Sequence, residues 1–246
     1  MTKKVFLFIV EGFSDKEALE GILSELVNET LFKFEVINGD ITSEQNKYDG
    51  TKNIKTRINS VVTTYIANNV GITLKDIEKV IILTDIDGCY LKENKIKYCE
   101  NDTSFRYEND GIYTDRIQSA VNRNIVKSHN LNTISTMNKT NSKILEVYYF
   151  SCNLDHVLHG ERNLKKEEKI NKAIDFSDKY TSNEAEFINF IFDENIAPYR
   201  EYDKSWLEIK KDDNSLKRST NLNVFFIRNE EILNDVAKKI IEKLKG

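Results

Sequence analysis

The feature that most constrains the fold of this chain is an apolar run at residues 5–10 (VFLFIV), followed at once by Glu11-Gly12. A continuous apolar run of this length, rich in β-branched and aromatic residues, is typical of a strand buried on both faces. Ser14 is the predicted N-cap of the helix that follows, and Asp15 places an acid in its first turn. The sequence therefore predicts a buried strand that carries a carboxylate, Glu11, to its C-terminal end.

A second apolar run, residues 80–84, ends in the same way, at Asp85-Ile86-Asp87-Gly88. Residues i and i+2 of an extended chain point to the same side, so Asp85 and Asp87 can converge on one point. Open α/β sheets bind ligands at the carboxyl ends of their strands, and carboxylate oxygens suit Mg²⁺ or Mn²⁺. Alternatively, Glu11 caps a helix and the two aspartates are turn residues. The two motifs together favour a metal site, because clustered acids repel one another without a cation.

Strand and helix patterns alternate along the first part of the chain, which predicts an α/β fold: a mostly parallel sheet with helices on both faces. Strands are predicted at residues 4–10, 31–37, 79–84 and 144–150, and helices at 14–27, 51–68 and 115–127. Residues 40–50 and 128–142 read as polar loops, and 89–112 as an irregular insert with a hairpin. The rest is predicted to be helical at 165–174, 182–194, 202–212 and 229–245, with a last strand at 221–227. We expect a domain over 1–160 and a C-terminal, mainly helical lobe over 161–246 packed on it.

Composition limits the class of protein. A net charge of −4 argues against a protein that coats nucleic acid, although residues 201–246 carry ten basic and nine acidic side chains. The three cysteines are odd in number and lack metal-ligand spacing, which fits a reducing cytoplasm. There is no apolar run of membrane-spanning length, and the N-terminus leads directly into a strand. We therefore expect a cytoplasmic protein without a signal peptide or membrane span.

The two acidic motifs carry a resemblance. A strand ending in Val10-Glu11-Gly12, a helix, and a later strand ending in Asp85-Ile86-Asp87-Gly88 resemble the Toprim domain of topoisomerases, bacterial primases, small ribosomal-RNA-maturing ribonucleases and OLD-family nucleases. The stretch through Asp15 is closest to the OLD-type branch, in which a second acid follows the glutamate by four residues. Residues 150–158 (FSCNLDHVL) resemble, more weakly, an element of RloB- and AbiL-like phage-resistance proteins. The resemblance covers about residues 3–160.

The resemblance implies a Mg²⁺- or Mn²⁺-dependent nuclease of bacterial anti-phage defence (abortive infection), cleaving phosphodiester bonds of DNA or RNA. Glu11 would be a metal ligand or proton-transfer group, and Asp85 and Asp87 metal ligands. Asp15 and Asp155 are further candidate ligands, although each also reads as a first-turn helix acid. Two alternatives stay open: a primase- or topoisomerase-like enzyme, and a catalytically inactive Toprim module that binds a partner.

OLD proteins carry an ATPase domain before their Toprim domain, but this sequence contains no Gly-x4-Gly-Lys-Ser/Thr loop. Either ATP is not required or a separate ATPase subunit supplies it, and we expect the isolated chain to be a weak or silent nuclease. A homo-oligomer is compatible with the sequence.

Two further groups of residues are candidates for binding sites. His156 and His159 suggest zinc, but only Cys152 offers itself as a third ligand, so a structural role is favoured. The densest basic and hydroxyl-rich patch contains Lys210, Lys211, Lys217 and Arg218. These side chains are candidates for contact with a nucleic-acid backbone, with a solvated surface as the equal alternative.

Overall fold

The computed structural model describes residues 4–28, 30–36, 40–43 and 53–245. Its centre is a mostly parallel sheet with strand order β2-β1-β3-β8-β7. These strands are β1 (Lys4–Val10), β2 (Thr30–Val36), β3 (Ile77–Asp85), β7 (Lys139–Thr140) and β8 (Lys143–Ser151). The neighbours β2, β1, β3 and β8 run parallel, whereas β7 and β9 (Ser219–Thr220) pair antiparallel with β8. The α/β class with a mostly parallel sheet is therefore confirmed.

Both faces of the sheet are covered by helices, which explains why its strands are continuously apolar. In β1, Phe6 and Phe8 belong to one hydrophobic cluster, and the alternate residues Leu7 and Ile9 belong to another. The helices are α1 (Phe13–Glu25), α2 (Ile54–Asn68), α3 (Ile117–Thr136), α4 (Leu154–His159), α5 (Lys166–Tyr180), α6 (Glu184–Ile191), α7 (Tyr202–Glu208), α8 (Leu222–Arg228) and α9 (Asp235–Lys245). The first cluster lies against α1, α4, α5, α6, α8 and α9, and the second against α2, α3 and α7.

The chain beyond residue 160 is mainly helical and packs directly against the sheet. The ring of Phe225 in α8 lies 5.5 Å from that of Phe8 and 5.8 Å from that of Tyr148, between ring centroids. Leu233 forms an antiparallel bridge with Val27. Residues on both sides of the expected boundary at 160 thus share one hydrophobic cluster. Across the described residues, no helix combines the length and apolar character that crossing a membrane requires.

The segment between β3 and α3 is an insert with its own small sheet. Its strands are β4 (Ile96–Tyr98), β5 (Arg106–Glu108) and β6 (Gly111–Thr114), in the order β4-β6-β5. β5 and β6 form the hairpin that the sequence predicted, and β4 runs parallel to β6. The insert follows Asp87 directly, so it stands beside the carboxyl edge of the main sheet.

Two predicted elements are wrong. Residues 128–142 were expected to be a loop, but α3 continues to Thr136, with Leu131 and Ile134 fully buried. The helical periodicity was hidden because buried polar residues, Lys127 and Asn130, occupy its inner face. Residues 221–227 were expected to form a strand, but Leu222–Arg228 is a helix buried nearly all round. A short apolar run does not distinguish a buried helix from a buried strand.

The start of α1 also differs from the prediction. Its N-cap is Gly12 rather than Ser14, and the backbone N–H of Gly12 donates to the Asp15 carboxylate at 3.0 Å. Asp15 is in the first helical turn, as predicted. The predicted loop residues 44–50, the first two residues of the predicted helix at 51–68, and Ile37 lie outside the described part of the chain.

Gly88 allows the tight turn that leads from the sheet edge into the insert. Its φ is +64°, and a Cβ at this position would lie 3.0 Å from Leu216 and 3.2 Å from Ile112 and Leu91. We predict that Gly88→Ala lowers the free energy of unfolding by about 1–3 kcal/mol, because strain and crowding add. Gly71→Ala is the matched control, since Gly71 has φ +87° but no atom within 4 Å of the added Cβ. Equal losses in urea denaturation for the two variants would contradict the role of packing at Gly88.

Candidate metal centre

Acidic side chains from separate strands meet at the carboxyl edge of the sheet. Glu11 follows β1, and Asp85 ends the neighbouring strand β3. A carboxylate oxygen of Glu11 accepts hydrogen bonds from the Thr84 hydroxyl at 3.1 Å and from the Asp85 backbone N–H at 3.4 Å. Asp87 and Asp40 belong to the same site, because each forms an ion pair with a lysine that also lies near Glu11. The structure therefore brings Glu11, Asp85 and Asp87 together.

That shared residue is Lys127, which reaches the site from the inner face of α3. Its side chain is 0% exposed, and its ammonium lies 2.5 Å from Asp40, 2.6 Å from Asp87 and 3.8 Å from Glu11. Burial alone would lower the pKa of Lys127, but these carboxylates raise it well above its usual range. Lys127 is thus a fixed positive charge among these carboxylates. We refer to Glu11, Asp40, Asp85 and Asp87, with Asp15 and Asp155 on their outer side, as the acidic group.

Lys127 keeps two of the acids ionised. Against the effect of burial, Lys127 and Arg123 lower the pKa of Asp87 to about 2. Burial also raises the pKa of Asp40, but the charge of Lys127 outweighs burial, and the pKa of Asp40 is lowered. Asp40 also accepts hydrogen bonds from Thr42 and Ser43. Asp40 and Asp87 therefore carry their charges against an internal counter-ion.

Asp87 is held rigidly. Its backbone has φ +54°, a left-handed conformation that aspartate tolerates better than most residues. The Tyr107 hydroxyl donates to its carboxylate at 2.8 Å, and Arg123 donates to its backbone carbonyl at 2.8 Å and to Tyr107 at 2.7 Å. The insert and α3 together thus fix the direction of this carboxylate.

Glu11 and Asp85 are in the opposite electrostatic state. Burial, reinforced by Asp40 and Asp87, raises the pKa of Glu11 well above its usual range. Burial, reinforced by Glu11 and Asp87, does the same for Asp85. One oxygen of Asp85 accepts a hydrogen bond at 2.8 Å from the backbone N–H of Leu154, the first residue of α4. Lys127 offsets only part of this effect at each side chain, so both carboxyl groups bind a proton more tightly than free acids do.

Asp15 and Asp155 form the outer part of the acidic group. Burial, with Asp155 adding to it, raises the pKa of Asp15 to about 6. Asp155 is buried and forms an ion pair of 2.6 Å with Lys169 of α5, whose side chain is 39% exposed. The charge of Asp15 raises the pKa of Asp85, and the charge of Asp85 raises the pKa of Lys169, so these groups are close enough to interact. The acidic group therefore contains two ammonium groups, Lys127 locked inside it and Lys169 at its margin.

The histidines and Cys152 border these acids but do not form a metal-binding set with them. Burial, with the charges of Arg162 and Arg218, lowers the pKa of His156 to about 4, so its imidazole is neutral at pH 7. His159 packs edge-on against Phe176, with 5.9 Å between ring centroids. Burial raises the pKa of the Cys152 thiol well above its usual range. Nothing in this geometry adds to the case for zinc.

The basic residues singled out from the sequence are engaged in local contacts. Lys211 pairs with Glu208, and Lys217 donates to Asn214. Arg218 donates twice to the backbone carbonyl of Val157, at 3.0 and 2.8 Å. The ammonium of Lys210 lies 6.0 Å from the ring centroid of Tyr90.

The donor set consists of carboxylate oxygens, which suit a hard divalent cation, although the described part of the chain holds no ready-made cage. Among the residues that the structure describes, no three acidic, His or Cys side chains are placed to hold a metal ion together. Mg²⁺ needs no such cage, because it is commonly bound by one or two carboxylates, with waters and substrate phosphates completing its shell. Lys127 shows that this edge already binds one positive charge. The residues present therefore fit Mg²⁺ or Mn²⁺.

Fold and site together define a class: an α/β protein whose parallel sheet gathers carboxylates at its carboxyl edge. Comparison with protein-family models, with curated proteins and with solved structures found no match to this chain.

Two residues of the site, Asp40 and Lys127, were missed in the sequence. Asp40 carried a usable signal, because it closely follows a predicted strand parallel to β1, as Glu11 and Asp85 follow theirs. Lys127 carried a subtler one. It shares the inner face of α3 with Ala120, Asn124, Leu131 and Ile134, all buried, at helical spacing. A lysine in such a series needs a buried partner.

Proposed function

We propose that this chain is a Toprim-type nuclease: a cytoplasmic, Mg²⁺- or Mn²⁺-dependent enzyme that hydrolyses phosphodiester bonds of DNA or RNA in bacterial anti-phage defence. The observation that carries the proposal is the meeting of Glu11 and Asp85 from adjacent parallel strands, both with raised pKa values, beside a pair of aspartates bound to one ammonium group. The defence setting rests on the sequence resemblance alone.

In this proposal Glu11 and Asp85 hold the cation, with Asp87 beside them and Asp15 and Asp155 on the outer side. When bound, such an ion stabilises negative charge developing at phosphorus and lowers the pKa of a coordinated water.

The chain's own residues have separable tasks. Lys127 keeps Asp87 ionised and in place, and the N–H of Leu154 orients Asp85. The raised pKa of Glu11 lets its carboxyl group hold a proton in the metal-free protein, and a bound cation would displace that proton.

A catalytically inactive Toprim module is the second candidate, and Lys127 is the observation that favours it. Its ammonium already neutralises part of the acidic group without any metal. The two candidates differ in metal binding. An active centre should raise the melting temperature when Mg²⁺ or Mn²⁺ is added, because a ligand that binds only the folded state stabilises it.

The direct test is incubation of the purified chain with supercoiled plasmid, linear duplex and total tRNA, each with Mg²⁺, Mn²⁺ or EDTA. We expect cleavage of at least one substrate with either metal and none with EDTA. The rate should be low, because we also propose that a separate ATPase chain supplies recognition or activation. Turnover of many substrates per minute with Mg²⁺ alone would refute the need for a partner. A chain that neither cleaves nor gains thermal stability from either ion would refute the nuclease.

A further inference from the structure

A cleft of about 450 Å³ opens beside the acidic group, and Asp85, Asp87 and Asn153 form part of its lining. One wall comes from residues 162–169, between α4 and the first turn of α5. The other comes from residues 102–107, in the insert. Anything held in this cleft is held against the candidate metal centre.

The wall formed by residues 162–169 is cationic. Arg162, Lys165, Lys166 and Lys169 all line the cleft. The Nε of Arg162 is buried without a hydrogen-bond partner, and within the described residues the side chains of Lys165 and Lys166 form no hydrogen bond or ion pair. Lys165 is the N-cap of α5, so this wall also presents the N-terminal end of a helix of 15 residues. Helix N-termini and free cationic side chains both favour phosphate.

The opposite wall has a different character. Ser104, Phe105 and Tyr107 line it. Its one cationic side chain, Arg106, is already held by Asp102 at 2.9 Å and by Glu108 at 2.5 Å. Tyr107 is buried, and its hydroxyl is already engaged by Asp87 and Arg123. The guanidinium of Arg123 also lies 4.6 Å from the ring centroid of Phe105. This wall therefore offers the half-buried ring of Phe105 and the exposed hydroxyl of Ser104 where the other offers positive charge.

We propose that the cleft binds a single strand of nucleic acid, with its phosphates along Arg162, Lys165 and Lys166 and its bases toward Phe105. Grooves for single strands combine a cationic track for the backbone with aromatic side chains for the bases. A duplex carries phosphates on both of its outer sides, and only one wall of this cleft can receive them. The inference rests on the proposed function, because it places the strand across the acidic centre.

The test measures binding rather than cleavage, so that it stands apart from the nuclease. Short fluorescein-labelled single strands of DNA and of RNA, and the corresponding DNA duplex, are titrated with the full chain in EDTA, and anisotropy is followed at several salt concentrations. The variants are K165Q/K166Q and Arg162→Gln. The matched control is K239Q/K243Q, which removes the same charge from two exposed positions of α9.

We expect the native chain to bind the single strands more tightly than the duplex. K165Q/K166Q should weaken single-strand binding roughly tenfold, and its salt slope should fall by about 1.4, or 0.7 for each lost phosphate contact. Arg162→Gln should act in the same direction, and the control should bind as the native chain does. If the chain binds single-stranded DNA and single-stranded RNA with different affinities, the tighter one identifies the preferred nucleic acid. Either preference supports the proposal.

The proposal is overturned if the duplex binds as tightly as the single strands, if K165Q/K166Q binds normally, or if the chain binds neither strand. It is also overturned if Lys217→Gln weakens binding and K165Q/K166Q does not, since the strand would then follow the other basic patch. Binding that behaves as expected, in a chain that neither cleaves nor gains thermal stability with Mg²⁺ or Mn²⁺, would instead sink the nuclease and leave the cleft assignment standing.

Discussion

Asp85→Asn is expected to abolish metal-dependent cleavage while leaving the chain at least as stable as the native protein. Cleavage is lost because an amide is a poor ligand for Mg²⁺ compared with a carboxylate. Stability is kept because the asparagine oxygen can still accept the hydrogen bond from the N–H of Leu154. Removing a charge that burial and Glu11 disfavour relieves repulsion in the metal-free protein.

The gain in stability should depend on pH in a defined direction. A carboxyl group whose pKa is raised on folding binds its proton more tightly in the folded state. Its contribution to stability is therefore present at low pH and is lost as the pH rises through the folded-state pKa. Asp85 and Glu11 both belong to this kind. We thus expect Asp85→Asn to raise the melting temperature in EDTA more at pH 8 than at pH 5.

Thermal melts in EDTA at the two pH values, with cleavage assays in Mg²⁺, check this prediction. Asp178→Asn is the control, because it removes an exposed acid of α5 far along that helix from the cleft. Retained cleavage in a clean Asp85→Asn preparation would end the proposal that Asp85 holds the metal. A variant that is less stable than the native chain at pH 8 would contradict the electrostatic account.

Lys127→Met is expected to cause the largest loss of stability. Methionine is of similar length but leaves Asp40 and Asp87 buried without their counter-ion. Removing one partner of a buried ion pair costs about 3–5 kcal/mol, and for a chain of this size each kcal/mol lowers the melting temperature by about 2–4 °C. Added Mn²⁺ should recover much of the loss, because a divalent ion can take the place of the ammonium.

Lys169→Met provides the comparison for Lys127→Met. Lys169 also pairs with a buried carboxylate, Asp155, but its side chain is 39% exposed, so water can replace it. Its removal should cost much less, and the difference should appear directly in melts performed in EDTA. If Lys127→Met melts at the native temperature without metal, the ammonium is not the internal counter-ion described here.

The sequence predicted those parts of the fold and site that depend on simple patterns. Continuous apolar runs identified β1, β3 and β8, and acids at strand ends identified Glu11, Asp85 and Asp87, because parallel strands bring their carboxyl ends to one edge. Asp40 and Lys127 were missed because their importance arises from contacts 87 residues apart in the chain. The position of Asp40 after a predicted strand and the helical spacing of Lys127 mark each residue separately, but neither pattern reveals that the two residues pair.

The errors in secondary structure have a related cause. The inner face of α3 carries Asn124, Lys127 and Asn130, so its burial is concealed by polar residues that are satisfied only in the folded chain. In α8 the reverse holds, since burial on nearly every side removes the polar face that marks a surface helix. In both helices, tertiary packing determined a burial pattern that the local sequence did not reveal.

The most direct test of the central claim, that this sheet edge is a divalent-cation centre, is an anomalous difference map from crystals of the chain containing Mn²⁺. We predict a peak bonded to carboxylate oxygens of Glu11 and Asp85, at about 2.1 Å, with Lys127 still beside Asp40. A map at saturating Mn²⁺ with no peak at this edge, and with Glu11 and Asp85 unchanged, would contradict it.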